Sequence, residues 1–141
     1  MTVRFVLDTD TVVAAMRSPS GASAELLRRA RKAEVTLLAS APLMLEYEAV
    51  CSRPEHIAAS GLDPAEVQVY LDAVAALVEP VETWFLWRPR LRDPGDELVL
   101  EAAVNGRADA LVTFNVRHFA PAAGLFGLPV LLPRDALARL R

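Results

Sequence analysis

The chain has 141 residues, 53% of them hydrophobic, a formal charge of −3 and one cysteine, Cys51. That length suits one domain, 1–141, with its own core, and a lone cysteine excludes a disulfide framework or a cysteine-based zinc site. No apolar run approaches the ~20 residues of a membrane span, and Asp8 breaks the N-terminal apolar run too early for a secretion signal. A reducing, cytoplasmic setting is therefore expected. The charge excludes neither protein nor nucleic-acid partners, but contact with nucleic acid has to come from a local patch.

In chain order, Val3–Leu7 reads as a buried strand, apolar except for Arg4. A helix follows from about Thr11, another spans Ala22–Lys32, and Val35–Leu38 is a second strand. A helix near Pro42–Cys51 leads through "SRPEH" to the clearest helix of the chain. It opens at Asp63 with Pro64 next and Glu66 closing a capping box, and Val67, Leu71, Val74 and Val78 mark its apolar face. Val81–Trp87 has the pattern of a strand, "DPGDELVLEAAVN" that of a helix, and Ala110–Thr113 that of a strand. "NVRHF" reads as a short turn, and a strand at Val130–Leu132 precedes a closing helix. Strands alternating with helices predict an α/β domain with a parallel sheet covered on both faces. Ligands of such sheets sit beyond the carboxyl ends of the strands, where Asp8 and Asn115 fall.

The first strand ends in "LDTD", which puts acid where the chain leaves the core. A buried carboxylate without partners is costly, so Asp8 needs a reason. In "RDPGDELVLEAAVNG", Asp93 has the pattern of a helix cap, Pro94 takes the first helical position, and Asp96 sits where a capping box would close. At about 100° per residue, however, Asp96 shares a stripe with Val99, Leu100 and Ala103, which turns it toward the sheet. Glu97 and Glu101 fall on another face and read as solvated. Glu46 and Glu48 both flank the stripe of Leu43, Tyr47 and Val50, and periodicity does not choose between them. Asn115 has the pattern of a cap, and His118, without a partner at metal-ligand spacing, reads as a surface or packing residue. Carboxylates brought together repel by ~1–4 kcal/mol per pair at 4 Å for effective dielectrics of 80 to 20. They then protonate or bind a cation, and oxygen ligands without histidine or cysteine suit Mg²⁺ or Mn²⁺ and phosphate chemistry.

"FVLDTDTVV" resembles the opening motif of the haloacid dehalogenase-like phosphatases, but the only lysine, Lys32, falls between the first two strands, and "GDE" opens a helix instead of following a late strand. Nearly the whole chain resembles the PIN-domain nucleases, in particular the VapC-like toxins of toxin–antitoxin pairs. The resemblance rests on "VLDTDTVVAAMRSP", "SAPLMLEYEAVCSRP" and "LRDPGDELVLEAAVNGRADALVTFNVRHF" in that order. It implies a three-layer α/β/α sandwich on a five-stranded parallel sheet of order 3-2-1-4-5, and metal-dependent ribonuclease activity giving 5′-phosphate and 3′-hydroxyl ends. It also implies homodimers inhibited by a small antitoxin.

Carried over position by position, Asp8, Glu46 and Asp96 match the family's acids and its metal ligands. Asn115 stands where the family usually has a fourth acid, and Thr113 matches the hydroxyl residue nearby. Asp10 stands where the family commonly has Asn. The neutral Asn115 leaves open a third possibility, a PIN-like scaffold or binding module weakened in catalysis. Candidate RNA-backbone contacts are Arg88, Arg90, Arg92 and Arg117, with a second cluster at Arg28, Arg29, Arg31 and Lys32. For each of these, a solvated face or ion pairing is the competing role. Trp84 and Trp87 have the character of core or dimer residues, with base stacking as the alternative.

Overall fold

The structure, a computed structural model, describes residues 2–83 and 93–140. Its element order is β1 (Val3–Leu7), α1 (Thr9–Arg17), α2 (Ala22–Arg31), β2 (Val35–Ala39), α3 (Ala41–Cys51), α4 (Pro54–Ser60), α5 (Pro64–Leu77) and β3 (Val78–Pro80), then α6 (Pro94–Asn105), β4 (Ala110–Val112), α7 (Val116–Gly124), β5 (Val130–Leu131) and α8 (Pro133–Ala138). The five strands pair in parallel in the order β3-β2-β1-β4-β5, flanked by helices as an α/β/α sandwich. The chain builds β1, β2 and β3 outward in one direction and then returns to add β4 and β5 on the other side. The switch point between β1 and β4 is where a ligand crevice opens in this architecture.

Parallel strands buried on both faces need continuous apolar runs. Accordingly Phe5, Val6, Leu37, Leu38, Leu111 and Val112 are at most 1% exposed. The α5 stripe of Val67, Leu71 and Val74 is equally buried, and the helix begins with the expected box: Glu66 N–H donates to Asp63 Oδ1 at 2.8 Å and Asp63 N–H to Glu66 Oε1 at 3.1 Å. Among the described residues no helix is long and apolar enough to cross a membrane.

Several elements differ from the sequence reading. Val78 belongs to β3 and not to α5, because the residue before a proline is driven to extended backbone and Pro80 stops the helix short of Glu79. The strand expected at 81–87 thus starts earlier. Residues 81–83 carry no strand, although Val81 N–H still donates to Ala39 O at 3.0 Å. The remainder of that stretch, with Trp84, Trp87, Arg88, Arg90 and Arg92, lies outside the described residues. "SRPEH" opens a helix, α4, which buries none of its residues and so leaves no periodic signal. Pro54 starts it, and Gly61 at φ 74° ends it in the left-handed conformation that glycine adopts without strain. "NVRHF" begins a nine-residue helix that runs through Pro121, burying Phe119, Ala122 and Ala123; packing outweighs the proline's propensity cost.

Candidate active site

Parallel pairing of Leu7 with Val112 brings the ends of β1 and β4 together, and Asp8 N–H donates to Val112 O at 2.8 Å. Asp8 therefore sits between the last residue of β1 and the first turn of α1, only 6% exposed. Thr113 Oγ1, fully buried, donates to Asp8 Oδ2 at 2.7 Å and reaches Asp10 Oδ2 at 3.3 Å, while accepting from Asn115 N–H at 2.9 Å. Tyr47 is buried, which holds its phenol protonated; it donates to Leu7 O at 2.5 Å and so pins the end of β1 from α3. Asp10 accepts from Thr11 Oγ1 at 3.0 Å and from Phe114 N–H at 3.1 Å. It latches the β4–α7 loop to α1.

These groups open into a cavity of about 680 Å³ whose walls include Asp8, Asp10, Glu46, Asp93, Asp96 and Asn115. The four residues expected to act together thus share one cavity. Glu46 faces it and Glu48 does not, a choice periodicity left open. Gly95 packs against Glu46: a Cβ there would come within 3.0 Å of Glu46 Oε1 and 3.1 Å of Asp93 Oδ1 and would push each carboxylate aside by a few tenths of an ångström. Asp93 caps α6, accepting from Gly95 N–H at 2.7 Å. Asp96 does not close a capping box with it. Its Oδ2 instead lies 2.8 Å from His118 Nε2, a close polar contact whose geometry falls short of a hydrogen bond. His118 is thus a partner of the acid cluster, contrary to the surface or packing role read from sequence. Asn115 precedes α7 without capping it through its side chain. Glu97, expected to be solvated, is buried, because α6 packs against α3 and α7 as well as the sheet.

Burial, then the charge of Asp10, with Asp96 adding less, pushes the Asp8 carboxyl up to about 7 against the hydrogen bond from Thr113. Asp96 is raised too, by burial and then by Asp93, with His118 opposing. A divalent cation fits this donor set in kind, since the donors are oxygens on mutually repelling acids. Among the described residues, no three acids or histidines stand close enough together to hold one as they are.

Basic residues line the same cavity. Asp10, Val13, Ala14 and Arg17 of α1 do so at the i, i+3, i+4, i+7 spacing of one helical face, and Arg53 and His56 join them. Arg17 Nη1 donates to His56 Nδ1 at 3.4 Å. Sequence reasoning missed these three; once Asp10 is taken to face the site, helical spacing points to Arg17, whereas Arg53 and His56 depend on how α3 and α4 pack. Arg117 is exposed and does not line the cavity. Arg28 and Arg29 of the other cluster are paired with Glu25 at 2.7 and 3.0 Å. Lys32 is exposed at the end of α2, away from the cavity, so the lysine a dehalogenase-like phosphatase needs is not there.

The PIN domain family model matches residues 4–117, most of the chain, and the protein belongs to that family. PIN domains are typically metal-dependent nucleases. No curated protein and no solved structure matches the chain.

Proposed function

We propose that this PIN domain is a divalent-metal-dependent endoribonuclease and the toxin of a toxin–antitoxin pair. The observation that carries the nuclease reading is the gathering of Asp8, Asp10, Glu46, Asp93 and Asp96 in one open cavity, with Asp8 held near neutral pKa by burial and by its neighbours' charge. Acids gathered in this way repel, and either a proton or a bound cation relieves them; a cation is the relief that gives the site a chemistry. Asp8, Asp96 and Glu46 would hold Mg²⁺ or Mn²⁺; when bound, the ion supplies Lewis acidity toward the phosphate and acidifies water for in-line attack.

The chain's own groups do the rest. Thr113 and the first turn of α1 fix the Asp8 carboxylate. Glu46, against Gly95, orients the attacking water or takes its proton. Asn115 contributes an amide and no charge, which suits holding a water or a phosphate oxygen. Arg17 and Arg53, which line the same cavity, bind the flanking phosphates of a single strand.

The test is a mixed RNA panel incubated with the purified protein, with and without EDTA. Cleavage that survives EDTA unchanged rejects the metal mechanism; phosphate release from small monoesters with RNA intact rejects the nuclease. The toxin role rests on the sequence resemblance and implies a short antitoxin reading frame adjoining this one. Homodimer formation, implied likewise, is read by sedimentation at micromolar concentration, where a concentration-independent monomer counts against it.

A further inference from the structure

A second cavity, of about 410 Å³, adjoins the acidic one, and Ala14 and Ser18 belong to the walls of both. Its remaining walls are mostly apolar, with Ala22 and Gly21 at the start of α2 and Leu132 and Pro133 at the start of α8. Three features give it chemistry. Phe114 is 53% exposed, a large aromatic side chain left facing solvent at the rim. Its backbone is fixed by the 3.1 Å bond from its N–H to Asp10, and the next residue, Asn115, lines the acidic cavity. Ser23 lines the apolar cavity and is 3% exposed, yet its hydroxyl has no hydrogen-bond partner among the described residues. A buried hydroxyl left unpaired is costly unless a ligand completes it. Arg134 adds a cation at the edge.

We propose that this cavity is a nucleobase subsite, which seats the base next to the phosphate being cleaved. The proposal rests on the nuclease reading and deepens it. A strand whose phosphate lies at the acids has a neighbouring base within reach of the shared Ala14–Ser18 wall. An aromatic face offers that base a stacking platform whatever its identity. The Ser23 hydroxyl hydrogen-bonds an edge of the base, and Arg134 meets the next phosphate. Phe114 and Ser23 are thereby assigned to substrate selection, separate from the acids that carry the chemistry.

The experiment is binding of short single-stranded RNAs to the full chain, with Ca²⁺ supplied to balance the acids, read by anisotropy and by 2-aminopurine fluorescence. Each RNA is paired with a copy carrying one abasic residue, stepped along the strand. One abasic position should weaken binding roughly tenfold, and 2-aminopurine at that position should be quenched. Phe114→Ala should lose that tenfold for intact RNA, bind the abasic copy as wild type does, and abolish the quenching. Phe114→Trp should restore all three. Ser23→Ala should flatten the preference among bases at that position.

Equal weakening of intact and abasic RNA in Phe114→Ala overturns the proposal, since Phe114 would then only shape the loop. Unchanged binding and quenching overturn it as well. Metal-dependent cleavage with no base-sensitive position rejects the subsite and leaves the nuclease standing. Absence of both binding and cleavage rejects the two together.

Discussion

Asp8→Asn in metal-free protein should make the fold more stable while disabling the site. The Asp8 carboxyl is raised from 3.8 to about 7, chiefly by burial and by Asp10, and about 1.36 kcal/mol accompanies each unit of displacement. The ionised acid therefore costs the folded state up to ~4 kcal/mol above pH 7; relaxation of the surrounding acids and water entry bring the expected gain to about 2 kcal/mol. Asparagine is isosteric, its oxygen still accepts from Thr113 Oγ1, and its amide donates toward Asp10. Because the folded-state pKa lies above the unfolded one, protonation favours the fold. The wild type holds this contribution at low pH and loses it as pH rises through about 7.

The variant's advantage should then be largest at pH 8 and fall to less than half at pH 5. Thermal melts in EDTA at both values measure it; the gain at pH 8 corresponds to roughly 6–8 °C. Saturating Mg²⁺ or Mn²⁺ should stabilise the wild type, by about 2.7 kcal/mol at a hundredfold excess over Kd, and leave the variant almost unmoved. Equal or lower stability of Asp8→Asn at pH 8 in EDTA would refute the argument that a strained acid is kept here for a cation.

Asp96→Asn should abolish most metal binding by calorimetry while costing little stability, whereas Glu66→Gln, in the capping box of α5, should leave metal binding intact and cost at most ~1 kcal/mol. Equal metal binding by wild type and Asp96→Asn would remove Asp96 from the ligand set. Gly95→Ala should move the melting temperature little, since alanine's helix preference of at most roughly 0.5–1 kcal/mol is offset by crowding of the Asp93 cap 3.1 Å from the added methyl, yet slow cleavage by displacing the Glu46 carboxylate 3.0 Å from it; unchanged cleavage would release Glu46 from its role. Arg17→Ala and Arg53→Ala should each weaken RNA binding irrespective of sequence and lower the salt dependence by about one unit, read by binding titrations across ionic strength.

Most strand and helix types were legible because the chain alternates apolar runs with 3.6-residue periodicity, and a covered parallel sheet follows from that alternation; α4, which buries none of its residues, and α7, read as a turn, were not, and β3 was placed too late. The motif order carried the family, and with it the strand order. The inward turn of Asp96 was legible too, since one helix stripe fixes it relative to Val99, Leu100 and Ala103. Periodicity did not separate Glu46 from Glu48, because both flank the same stripe; the resemblance pointed to Glu46, and the packing of α3 on α6 is what turns it to the cavity. Only tertiary structure joined Asp96 to His118, turned Asp10 into the latch of the β4–α7 loop, and brought Arg17, Arg53 and His56 to the cavity of the acids. Periodicity sets a side chain's direction about its own element; which groups meet depends on the register of strands far apart in sequence, such as Leu7 with Val112, and on helix packing that no local pattern encodes.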